Sequence, residues 1–234
     1  MKTIGILQPS YLPWLGFFDQ IDQSDVFVFY DDVQYDKNGW RNRNRIKTKQ
    51  GECWLTVPVL TKGKDNQLIK DTEINNTENW VKKHVSAIRQ SYSKSRYFYI
   101  AEKVCERLEL RKWKTLCELN TALLEIMLNE LGLADKLILF SSSFSFSGDK
   151  NGRLVGMIRH FEGDTFIEGR SGRSYVDLNL FKANDIRVLF QEYNHPVYDQ
   201  LYGEFIPYLS ILDLLCNCGP RSLEIIRSGR NNCV

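Results

Sequence analysis

Two short apolar runs near the start of the chain constrain its fold most. Thr3-Ile-Gly-Ile-Leu7 is apolar throughout, and Val26-Phe-Val-Phe-Tyr30 is β-branched and aromatic. Both read as buried strands. About 18 residues separate them, enough for the crossover that parallel strands need. The expectation is therefore a βαβ unit, with an amphipathic stretch to about Gln23 inside the crossover. Ligands of parallel sheets gather at the carboxyl ends of the strands. That rule predicts Gln8–Trp14 and Asp31–Asp32 on one edge, although they are far apart in sequence.

Further along, Cys53–Val59 and Leu68–Ile74 read as strands. Val81, Val85, Ile88 and Tyr92 recur at helical spacing, with Asn76 or Thr77 placed to cap. Leu116, Leu119, Leu123, Met127 and Leu131 mark a second helix, which Gly132 would close. Leu137–Phe140, Thr165–Ile167 and Arg187–Phe190 look like strands; Arg153–Phe161, Tyr208–Cys216 and Arg221–Ser228 look like helices. The expected fold class is α/β, a largely parallel sheet with flanking helices and a helical middle at about 76–133. One domain suffices for 234 residues.

Composition excludes several classes. A chain with 43% hydrophobic and 26% charged residues is globular rather than disordered. No apolar run approaches the ~18–20 residues of a membrane span, and the first residues lack the apolar core of an export signal. The expectation is a cytoplasmic protein with no membrane insertion. Six cysteines without a CxxC pair then read as reduced thiols, with no metal site. A net charge of +2 is too small to argue for nucleic acid over the whole molecule, and no nucleic-acid partner is expected, although local charge is another matter.

Several segments could carry chemistry. Gln8-Pro-Ser-Tyr-Leu-Pro-Trp-Leu-Gly16 ends a buried strand in rigid aromatic and polar groups. Gln8, Tyr11 and Trp14 suit a ligand platform, unless Trp14 simply plugs the core. Asp31 and Asp32 could bind a metal, accept a sugar hydroxyl or act as a base, or could occupy a solvated turn. Arg41, Arg43, Arg45, Lys47 and Lys49 alternate along the chain, and residues 37–49 hold no acid. As a strand, all five would share one face and invite an anion such as a phosphate. The alternative is an edge strand guarded by charge. Ser147-Gly-Asp-Lys-Asn-Gly-Arg153 follows a strand and opens a helix, a junction suited to phosphate, and adds Lys150 and Arg153. His195, past the last strand, is either an acid–base group or a surface residue.

At these residues the chain resembles the WbqC-like family. The resemblance rests on Gln8-Pro-x-Tyr-Leu-Pro-Trp-x-Gly16 and Asp25-Val-Phe-Val-Phe-Tyr-Asp-Asp-Val-Gln-Tyr35. It continues through Asn42-Arg-Asn-Arg-Ile46, Trp54-Leu-Thr-Val-Pro58, Gly148-x-Lys-x-x-Arg-Leu154, Tyr198-x-Gln200 and Pro207-x-Leu-Ser-Ile-Leu-Asp213. Members often carry His before the Gln–Pro pair; here Leu7 stands there, so no role for that histidine transfers. Family members occur in gene clusters for bacterial O-antigen and other surface polysaccharides. The resemblance thus implies an enzyme acting on a nucleotide-linked sugar, with acyl or aminoacyl transfer to a sugar amine and an acyl donor as second partner. Nucleotidyl transfer, ATP-dependent amide ligation and a non-catalytic sugar-binding role stay open, as do the cofactor and the oligomeric state.

Overall fold

The computed structural model describes residues 1–37 and 39–231. Strands β1 (Thr3–Leu7) and β2 (Val26–Phe29) bracket helix α1 (Leu15–Gln23) and pair in parallel, Ile4 opposite Val26 and Leu7 opposite Phe29. A hairpin of β3 (Arg43–Thr48) and β4 (Gly51–Thr56) follows, then α2 (Trp80–Tyr92), α3 (Phe98–Glu109) and α4 (Leu116–Leu131). The chain returns as β5 (Leu137–Phe140), α5 (Lys150–His160), β6 (Thr165–Glu168), α6 (Leu178–Ala183) and β7 (Arg187–Phe190). It ends in α7 (Ile211–Cys218) and α8 (Ser222–Ser228). The five-stranded sheet has the order β5-β2-β1-β6-β7 and is parallel throughout. The fold is α/β, as the opening βαβ pattern predicts.

The pleat sorts the core into two layers. Phe27 and Phe29 face the larger cluster, with Phe17, Phe18, the middle helices and α7. Val26, Val28 and Tyr30 face the smaller one, with Leu154, Ile158 and Phe181 from α5 and α6. A strand buried on both faces must be apolar on both, which is why β2 shows no polar alternation. Each such side chain contributes roughly 1.5–3 kcal/mol by leaving water. Gly5 is required where β1 passes β2, since a Cβ there would collide with Ser24 and the Phe27 ring.

Helix α4 is bounded as its sequence demands. Thr115 accepts from the Glu118 N–H while the Glu118 carboxylate accepts from the Thr115 N–H, and Gly132 sits at φ +70°. Helix α2 begins at Trp80, after Asn79, rather than at Asn76 or Thr77. Leu68–Ile74 is not a strand. It holds a 3₁₀ turn over Ile69–Asp71, with single bridges from Leu68 to Gln34 and from Ile74 to Val59. The Thr72 hydroxyl donates to the Leu68 carbonyl at 2.9 Å, so a local bond replaces the ladder. Among the described residues Cys53, Cys105, Cys117, Cys216 and Cys218 are free thiols; Cys233 lies outside them. No helix among the described residues is long and apolar enough to cross a membrane.

Candidate functional site

The parallel order places the ends of β1, β2, β5 and β6 side by side. Gln8, Asp31 with Asp32, Ser141 and Gly169 lie just past those ends. Asp31 is held on all sides. Its Oδ1 accepts from the Ser142 N–H at 3.0 Å and its Oδ2 from the Ser142 hydroxyl at 2.7 Å. The Ser141 Oγ lies 3.1 Å from Asp31 Oδ1 and 2.5 Å from Asp32 Oδ1. A hydroxyl has one proton, and the shorter contact assigns it to Asp32. Asp32 also takes Arg153 Nη2 at 2.6 Å, with both side chains about four-fifths buried. The Arg153 guanidinium lies 5.0 Å from the Tyr30 ring centre.

The arginine strand meets the Pro-rich turn. Leu12, between Tyr11 and Pro13, has φ +44°, a left-handed conformation that side chains adopt at a cost. Asn44 Nδ2 donates to its carbonyl at 2.6 Å, and the Tyr11 N–H reaches the Arg41 carbonyl at 3.1 Å. Arg41 Nη1 donates to Ser10 Oγ at 2.6 Å, so Arg41 belongs to the turn that carries Gln8. Burial pulls the Arg41 guanidinium below the ordinary arginine value, against the attraction of Asp36 and Tyr35. Arg41, Arg45 and Arg153 each keep a buried Nε–H with no acceptor among the described residues, and the buried Tyr35 hydroxyl, near Arg41 and Arg43, has no hydrogen-bond partner among them either.

Other expected site residues are placed differently. Tyr11 is 0% exposed, with its hydroxyl 2.8 Å from His84 Nδ1, so it cannot stack on a ligand. The turn is compact enough to swallow the ring, which sequence spacing does not reveal. Trp14 is half-buried against the Tyr193 and Tyr208 rings. The five alternating cations do not share one solvent face. Lys47 is buried and donates to Gln200 Oε1 and the Glu204 carbonyl, while Arg45 pairs with Glu52 at 2.8 Å. Arg43 and Arg45 lie over the Trp54 ring. His195 packs on Tyr198, Phe205 and Tyr208. It follows β7, three strand spacings from β2, or about 14 Å, and no carboxylate of the Asp31 cluster touches it. Burial lowers its pKa.

The loop before α5 is also not an open phosphate cradle. Asp149 caps that helix, taking the Gly152 N–H at 2.8 Å, so a carboxylate already occupies the helix N-terminus. Lys150 sits 3.1 Å from the centre of the Tyr175 ring.

Three features escaped the sequence. Glu168 ends β6 as Asp31 follows β2, and its buried carboxyl accepts from the Tyr175 hydroxyl at 2.8 Å and the Gly169 N–H at 2.7 Å. Burial raises its pKa, against both hydrogen bonds. The same carboxyl-end rule, applied to Thr165–Ile167, would have found it. Trp40 and Trp54, each 47% exposed, stack at 5.5 Å on the hairpin. A cleft of about 680 Å³ opens beside Asp31, between the end of β5 and helices α3 and α4. Gln8 is not among its walls. No group of three or more His, Cys, Asp or Glu among the described residues could hold a metal ion.

A model of the WbqC-like protein family matches residues 8–225. This chain belongs to the WbqC-like protein family. Within it, the chain is similar to the uncharacterized protein Rv1507c of Mycobacterium tuberculosis (strain ATCC 25618 / H37Rv), 39% identical over 229 residues. That match covers 97% of this chain and 98% of the mycobacterial protein. No solved structure matches it. The matched span of the WbqC-like chain contains the Pro-rich turn, the Asp31–Asp32 pair, the arginine strand and the Arg153 helix.

Proposed function

We propose that this WbqC-like protein is a cytoplasmic transferase of bacterial O-antigen or other surface-polysaccharide synthesis. Its substrate is a nucleotide-linked amino sugar, which receives an acyl or aminoacyl group on the sugar nitrogen. The observation that carries the reading is the set of buried guanidinium N–H groups, the Nε–H of Arg41, Arg45 and Arg153, without acceptors among the described residues. A buried cation with a spare donor calls for an oxyanion, and a diphosphate supplies several. Lys150 and Arg43 add positive charge farther out, and Arg45 is largely spent on Glu52. The Trp40–Trp54 pair, rather than Tyr11 or Trp14, offers the base an aromatic face. Gln8 lies beside the path of the sugar.

In the transfer, the sugar nitrogen attacks the donor's carbonyl carbon, and the leaving group departs with its bonding pair. Asp31, which reaches the cleft, accepts the proton that the nitrogen sheds. Asp32 is tied to Arg153 and holds the Ser141 hydroxyl, so it serves to position its neighbours. Mass spectrometry of nucleotide amino sugars incubated with the protein and acyl donors tests this. An acylated product supports it; unchanged sugar with every donor contradicts it. ATP consumption would instead favour ligation or nucleotidyl transfer. A second reading, a nucleotide-sugar binder without catalysis, is favoured by one observation: both Asp31 oxygens already accept hydrogen bonds. Tight binding without any product would select it.

A further inference from the structure

The cleft beside Asp31 meets the carboxyl edge at Asp31, but most of its walls lie beyond Arg41 and Arg153. Its walls carry Lys70, Arg107, Arg111 and Trp113. The acids in the same walls are mostly engaged. Glu125 meets Arg107 at 3.1 Å, and Glu118 is spent on the cap of α4. Among the described residues, Lys70 and Arg111 have no ion pair; Arg111 lies 4.4 Å from the centre of the Trp113 ring. Trp113 is only 2% exposed, yet its indole N–H has no acceptor among the described residues. Burying such a donor unpaired is unfavourable, because its hydrogen bond to water is lost without replacement. An ammonium, a guanidinium and an orphaned indole N–H together make a wall of donors. Leu110, 69% exposed at the rim, and Phe140 at the inner end supply apolar surface.

The geometry points to a site for a second small ligand, an organic oxyanion whose phosphate or carboxylate meets Lys70, Arg111 and the Trp113 N–H. Its apolar part lies along Leu110 and Phe140. A volume of about 680 Å³ is in the range of small-molecule sites. The far end of such a ligand reaches Asp31 and Ser142, so it would meet whatever occupies the carboxyl edge of β2. The inference does not depend on the edge itself binding a nucleotide sugar.

The test is a titration followed by ¹H–¹⁵N spectra of the tryptophan indole N–H groups. Pyrophosphate and succinate are the probes, and the Trp113 signal is assigned through Trp113→Phe. The expected result is a saturable downfield shift of the Trp113 signal with at least one probe. A shift with pyrophosphate alone identifies a phosphate ligand, with succinate alone a carboxylate. The double substitution Lys70→Ala/Arg111→Ala, at a half-buried and an exposed position, should weaken that binding at least tenfold. Arg153→Ala, at the other site, should leave it unchanged. A Trp113 signal unmoved by both probes, or moved equally in the double variant, overturns the proposal. Nucleotide-sugar binding measured on the same double variant separates this outcome from failure of the edge site.

Discussion

His84 should make the protein acid-sensitive in a window set by its burial. The side chain lies on α2, with Nδ1 2.8 Å from the Tyr11 hydroxyl and Nε2 3.1 Å from the Thr56 carbonyl. A carbonyl only accepts, so Nε2 carries the proton and Nδ1 accepts from Tyr11. The neutral ring thereby ties the Pro-rich turn to α2 and to the end of the hairpin. Protonation would set two donors face to face at Nδ1 in a buried site. Burial lowers the pKa from 6.5 to about 4, with the Thr56 bond opposing. A depressed value means the unfolded chain takes up the proton first. The stabilisation is therefore complete above pH 6.5 and is lost as the pH falls toward 4. At pH 5 the linkage amounts to about 2 kcal/mol, with one pKa unit equal to about 1.4 kcal/mol. Urea unfolding of the parent and of His84→Gln at pH 7.5 and 5.0, followed by tryptophan fluorescence, measures it. Between the two pH values the parent should lose about 2 kcal/mol more than the variant. Equal losses would refute the argument that His84 is held neutral.

Asp213 should act with the opposite sign. It is buried, accepts from the Tyr92 and Tyr198 hydroxyls at 3.1 Å, and burial raises its pKa to about 6. Its stabilisation is present below pH 4 and is lost as pH rises through 6, so relative to Asp213→Asn the parent should decline by about 3 kcal/mol across that window. Tyr11→Phe should cost about 1–3 kcal/mol in urea unfolding, because it leaves the buried His84 nitrogen without its donor. Thr115→Ala removes one half of the α4 capping box and should cost about 1 kcal/mol, a fall of roughly 2–4 °C in Tm by calorimetry.

The sheet was legible because parallel strands buried on both faces leave apolar runs such as Val26–Phe29 that few other elements produce. The edge was legible for the same reason, since a chain leaving such a strand must turn polar at Gln8 and at Asp31. Helix α4 announced its periodicity and its end at Gly132, while the capping box of Thr115 and Glu118 that opens it went unread. What could not be read was depth. Tyr11 and Lys47 carry polar atoms and sit in polar segments, yet tertiary packing encloses both. Alternation correctly placed Asn44 and Ile46 opposite Arg43 and Arg45, but it could not foresee that the 198–206 loop would cover Lys47. The donor wall of Lys70, Arg111 and Trp113 was equally hidden, since it joins separate segments that meet only through tertiary contacts.

The proposed function requires the carboxyl edge to grip a diphosphate through Arg41 and Arg153. Calorimetric titration with a panel of nucleoside-diphosphate sugars, and with the matching free monosaccharides, tests it most directly. At least one nucleotide sugar should bind measurably, and its free sugar only feebly. Folded Arg41→Ala and Arg153→Ala should each lose roughly one to two decades in affinity, the worth of a charge-assisted hydrogen bond of about 1.5–3 kcal/mol. Equal affinity for both kinds of ligand, unchanged by either substitution, would contradict it.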